Sequence, residues 1–204
     1  MKNPLTLLVV EDRIDHLVDF NKMLGSVHSK LPIQLNVFYA ADLESALLLL
    51  PQADVVISDV FFPLSPGMQE DSNGQAVVHR CLELQKPVVW VTSTYHHGAK
   101  TNNVSEWGRA RGLEMFDCYD RNNLNGESPH KPWKEALYGV LFLAIGLEDG
   151  TFLIENGIIM GRVDKFGERK ELRSALQCIL NNFFSSEPDD SFSVKMAEMG
   201  FGRP

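Results

Sequence analysis

Residues 53–63 read Ala53-Asp54-Val55-Val56-Ile57-Ser58-Asp59-Val60-Phe61-Phe62-Pro63, and the run Val55-Val56-Ile57 closing on Ser58-Asp59 decides the fold. A continuous apolar run without alternation predicts a strand buried on both faces, as in a parallel sheet. The pattern recurs on either side. Leu7-Leu8-Val9-Val10 runs into Glu11-Asp12, and Val88-Val89-Trp90-Val91 runs into Thr92-Ser93. Segments of helical spacing lie between these runs, so parallel strands joined by crossover helices are expected. In open α/β sheets the functional crevice lies beyond the carboxyl ends of the strands. Glu11, Asp12, Asp59 and Thr92 should therefore converge.

The charge of that constellation limits its chemistry. Three crowded carboxylates repel one another, so they are partly protonated or gathered round a hard cation. Mg2+ suits an all-oxygen site that keeps several waters and takes one or two carboxylates plus a phosphate. A carboxylate can also attack phosphorus to give an aspartyl-phosphate. Asp59 is the candidate nucleophile, Glu11 and Asp12 the candidate metal ligands beside it, and Thr92 a candidate contact to a phosphoryl oxygen.

An acidic pair after the first strand, an aspartate after the third and a Thr-Ser pair after the fourth, over residues Leu5 to Leu147, resemble a response-regulator receiver domain. Residues 53–63 are similar to that family's third strand, including Pro63 four residues past Asp59. The resemblance implies a flavodoxin-like, doubly wound five-stranded parallel sheet of (βα)5 type. It implies phosphorylation of Asp59 by a histidine kinase or phosphotransfer protein, with no enzymatic activity beyond self-catalysed phosphotransfer and dephosphorylation. It implies Mg2+ held by Glu11, Asp12, Asp59 and the backbone carbonyl of Phe61, and a downstream protein partner.

Two positions depart from the family pattern. The lysine expected after the fifth strand falls on Arg121 when Asp117-Cys118-Tyr119-Asp120 is aligned; Lys131-Pro132 is the alternative, if an inserted loop has moved the cation. Arginine keeps the charge but differs in plane and reach. The switch aromatic expected on the fifth strand is replaced by Cys118, with Tyr119 on the opposite face. These departures keep open a pseudo-receiver that has the fold but is not phosphorylated. A phosphohydrolase built on Asp59 is disfavoured, because Phe61 holds the second place of the usual Asp-x-Asp. A Rossmann oxidoreductase is disfavoured because no Gly-x-Gly-x-x-Gly follows the first strand.

Composition agrees. The chain has 204 residues, 44% of them apolar, enough for one core plus an extension. A formal net charge of -8 without a basic stripe argues against generic nucleic-acid binding. The N-terminal apolar run is too short for a signal peptide or membrane span. Cys81, Cys118 and Cys178 have no metal spacing and read as reduced thiols of a cytoplasmic protein.

The remaining elements follow from periodicity. Ile14, Leu17, Val18, Met23 and Leu24 mark the inward face of a first helix. Ile33, Leu35 and Val37 lead into a second strand. Asp42 is placed to cap a helix over 43–50 that Pro51 ends. A long polar loop, 64–72, precedes a third helix carrying Ala76, Val77, Cys81 and Leu84. A fourth helix over 103–111 offers Val104 and Trp107, with Gly112 turning into a fifth strand over 113–119. A fifth helix starts near Pro132 or Trp133. His96 and His97, just past Thr92, read as solvated loop residues.

From 148 to 204 the chain departs from the receiver pattern of 1–147. Asn156-Gly157 between two apolar stretches is a type I′ hairpin signal. A helix is expected over 166–184, with Leu172, Ala175, Leu176, Ile179 and Leu180 on one stripe, then a mobile tail. This extension is expected to bind a partner or form a homodimer.

Overall fold

The computed structural model describes residues 4–28, 31, 33–95, 98–118, 128 and 130–161. Strand β1 (Leu5–Val10) is buried along its whole length, as its unbroken apolar run requires. It pairs in parallel with β2 (Leu35–Ala40) on one side and β3 (Val55–Asp59) on the other. Beyond β3 lie β6 (Val88–Val91) and β7 (Met115–Phe116), giving the parallel order β2-β1-β3-β6-β7. This is the flavodoxin-like, doubly wound sheet expected from the sequence. Helices α1 (Ile14–Val27) and α5 (Trp133–Glu148) pack together, as do α2 (Leu43–Leu49) and α3 (Gly74–Glu83); α4 (Asn102–Arg109) precedes β7.

Local chemistry explains the element ends. Asp42 accepts the Ser45 N–H at 2.8 Å and starts α2, and Pro51 lies in a short 3-10 turn, Leu50–Gln52, that closes it. Gly112 ends the α4 turn at φ +68°, and a Cβ there would lie 2.1 Å from the Ile159 carbonyl oxygen, so only glycine fits.

Four expectations are corrected. On α1 the buried residues are His16, Phe20 and Val27, whereas Ile14 and Val18 are exposed; the helix is rotated so that His16 meets Glu11. The stretch after β3 is no open loop, because β4 (Phe62–Pro63) pairs antiparallel with β5 (Glu70–Asp71) and the Asn73 amide donates to the Phe62 carbonyl at 2.7 Å. On α3 the buried face is Val77, Val78, Cys81 and Leu82, with Ala76 exposed. The fifth strand of the sheet shrinks from 113–119 to Met115–Phe116, since β6 offers it only Trp90 and Val91 as partners.

Helix α5 is buried from Ala136 to Gly146 on every side, packed against β3, β6, α1 and β8 (Phe152–Glu155). A helix apolar all round belongs in an interior. Strands β8 and β9 (Ile158–Gly161) form the anticipated hairpin, with Asn156 and Gly157 at φ 52° and 71°. Phe152, Ile154 and Ile159 join the same core as the sheet, and the Ile159 N–H donates to the Arg111 carbonyl at 2.8 Å. The helix expected over 166–184 and the tail lie outside the described residues. No helix among the described residues is long and apolar enough to cross a membrane.

Candidate functional site

Register alone assembles the site. Val10 of β1 stands beside Ser58 of β3, so Glu11 falls beside Asp59; Asp59 stands beside Val91, so Thr92 follows one step beyond. Glu11, Asp12 and Asp59 offer carboxylate oxygens within 4.8 Å of one another. Glu11 and Asp59 are buried and Asp12 is half-buried.

The segment before α5 supplies the counter-charge. Lys131 is buried, with its Nζ 2.7 Å from Asp59 Oδ2 and 2.5 Å from Glu11 Oε2. Its position is fixed through its neighbours. The Ser128 N–H donates to the Ser93 carbonyl at 2.7 Å, the Cys118 thiol donates to the His130 carbonyl at 2.8 Å, and His130 Nδ1 lies 2.7 Å from Asp19 Oδ2. Arg121, Tyr119, His96 and His97 lie outside the described residues.

The remaining groups complete a cleft lined by Asp12, His16, Asp59, Phe61, Thr92 and Thr94, among others. Asp59 Oδ1 accepts the Val60 N–H at 2.7 Å, which leaves Oδ2 to Lys131. The Thr92 and Thr94 hydroxyls lie 2.9 Å apart. Gly74 opens α3 directly against Asp59: a Cβ there would come within 2.4 Å of the Asp59 carbonyl oxygen. His16, absent from the sequence-based site, places Nδ1 3.3 Å from Glu11 Oε1. Periodicity could not flag it, since a histidine among helical apolar positions carries no mark of its partner.

Burial and charge set the ionisation. Burial pushes the Asp59 carboxyl up to about 7, with Glu11 adding to the rise against the opposing pull of Lys131. Burial and the neighbouring Glu11 also raise Asp12. Burial would raise Glu11 too, but His16 and Lys131 outweigh it and hold that carboxyl below its usual range. Burial works against the Lys131 ammonium, yet Asp59 and Glu11 keep it above its ordinary value.

A divalent cation fits this donor set. All three carboxylates are hard oxygen donors, and Asp12 Oδ1 is buried with no hydrogen-bond partner among the described residues. One ammonium against three acidic groups leaves a negative balance that a cation would relieve.

No protein-family model matches the chain, and no curated protein matches it. Among solved structures, a candidate response regulator from Chloroflexus aurantiacus J-10-fl is similar at 20% identity and TM-score 0.43, covering 70% of this chain and 98% of its own. RcsB from Salmonella enterica serovar Typhimurium, solved bound to the promoter rprA with phosphomimetic beryllofluoride, is similar at 12% identity and TM-score 0.35, covering 96% and 99%. Two further RcsB structures, from Salmonella typhimurium, are similar at 14% and 13% identity with TM-scores of 0.29, and their descriptions call RcsB a response regulator.

Proposed function

We propose that this chain is a receiver-type signalling protein that accepts a phosphoryl group on Asp59 from a histidine kinase or phosphotransfer protein. The observation that carries this reading is the buried Asp59 carboxylate, at a strand's carboxyl end, with Lys131 at 2.7 Å and two further carboxylates close by. Glu11, Asp12, Asp59 and the Phe61 carbonyl would hold Mg2+, which would supply positive charge to the phosphoryl oxygens. An Asp59 oxygen attacks phosphorus, the donor's P–N bond breaks, and its electron pair returns to the donor imidazole. The Lys131 ammonium, in the role that the sequence alignment assigned to Arg121, then turns from the carboxylates to a phosphoryl oxygen, and the Thr92 hydroxyl donates to another. Output is protein–protein interaction through α4 or the extension from 148 to 204, since α5, the other helix of the face the family uses, is buried along its middle, in a cytoplasmic protein with no enzymatic role of its own.

Acetyl phosphate with Mg2+ should add acid-stable, base-labile phosphate to the wild type and none to Asp59→Ala. Equal labelling of both proteins would move the acceptor elsewhere. One observation favours the pseudo-receiver as the second reading: Lys131 already bridges Glu11 and Asp59, so the fold has an internal counter-ion. Absence of labelling, together with amide spectra unmoved by Mg2+ and beryllofluoride, would select that reading.

A further inference from the structure

His16 is wholly buried on α1, where the other buried residues, Phe20 and Val27, are apolar. Packing alone would be served as well by leucine. Its Nε2 is buried without a hydrogen-bond partner among the described residues, and its Nδ1 lies 3.3 Å from Glu11 Oε1. An ionised carboxylate can only accept, so the ring proton sits on Nδ1.

The two oxygens of Glu11 are thereby divided. Oε1 takes the Arg13 N–H at 3.1 Å and His16 Nδ1, both from the α1 side. Oε2 takes Lys131, which also reaches Asp59. We infer that His16 is a positioning residue that fixes Glu11 through Oε1 and so presents Oε2 to the space shared with Asp59. That space is where Lys131 now sits and where a divalent cation would draw on the same oxygen. Groups that hold a metal ligand from behind commonly govern affinity by about 10- to 100-fold. The inference rests on the metal reading of the site.

The test uses the full chain and Mg2+ alone, titrated calorimetrically into wild type, His16→Leu and His16→Asn, with the thermal midpoint of each measured in chelator. Asparagine places an amide N–H at the same bond distance from Cα as Nδ1, whereas leucine keeps the packing and loses the donor. His16→Leu should bind Mg2+ about 10- to 100-fold more weakly, and His16→Asn should recover most of that loss. In wild type the nitrogen-15 shift of Nδ1 should be that of a protonated ring nitrogen and should move in Glu11→Gln. Unchanged Mg2+ affinity in a folded His16→Leu, or a folded His16→Asn no better than leucine, would overturn the inference while leaving the metal reading intact. Failure of the wild type to bind Mg2+ would overturn the metal reading, and the role of His16 with it.

Discussion

Asp59 is pulled in two directions, because burial and Glu11 favour its neutral form while Lys131 favours the carboxylate. With a folded-state value of about 7 above an unfolded value near 3.8, the folded chain binds the extra proton between those limits. The contribution of Asp59 to stability is therefore largest below the unfolded value and falls as pH rises towards 7. A cation must displace that proton, so Mg2+ affinity should climb with pH up to about 7 and level off above it, as calorimetry at several pH values would read. Affinity independent of pH across that range would mean that Asp59 is already ionised at the low end. Phe61 flanks the same cleft, two residues past Asp59. A phenyl ring excludes the water needed to hydrolyse an aspartyl-phosphate, whereas an amide orients it. Phe61→Asn should shorten the phosphate lifetime roughly tenfold, about 1.4 kcal/mol of barrier; an unchanged or longer half-life would remove Phe61 from that role. Glu11, Asp12, Asp59 and Thr92 were legible in the sequence because each follows an apolar run. Lys131 was legible only through the family resemblance, as the alternative to Arg121, because it precedes a helix rather than ending a run; its contact with Glu11 as well as Asp59 is seen only in the folded chain.

The site depends on how closely elements approach. Helix α3 begins with Gly74 because its first turn runs against the backbone of Asp59 and Val60, with the Gly74 N–H donating to the Val60 carbonyl at 3.1 Å. Gly74→Ala should push this turn off the strand, destabilising the fold by about 1–3 kcal/mol in urea unfolding and lowering labelling of Asp59. Wild-type stability would mean that the turn yields freely. The strands β1, β3 and β6 were readable because a strand buried on both faces leaves an uninterrupted apolar run. The α1 face was misjudged because Ile14 and Val18 fit helical spacing as well as Phe20 and Val27 do, and the hydrogen bond between His16 and Glu11 settles the rotation. The β4–β5 hairpin was hidden because its strands are two residues each, too short for any period.

Across the whole molecule, the β8–β9 hairpin was legible as a local object from Asn156-Gly157. Its attachment was not, since a turn signal says nothing of the surface on which a hairpin rests. Phe152 packs where a Cβ on Gly146 of α5 would meet its ring at 2.0 Å, so small residue and aromatic are matched. Phe152→Ala should cost about 3–5 kcal/mol of stability in a single cooperative transition; a separate early transition would show the hairpin to be independent of the body. At the opposite end of α5, Trp133 has its ring centroid 5.7 Å from the Lys131 ammonium, while Trp90 and Trp107 stack on each other at 5.6 Å. An indole beside a fixed positive charge is an electrochromic probe: its emission shifts in colour when that charge moves. Light from Trp133 should therefore change hue as Lys131 swings from the carboxylates to a phosphoryl group, and Trp133→Phe should abolish the change, giving the chain a built-in optical gauge of its own state.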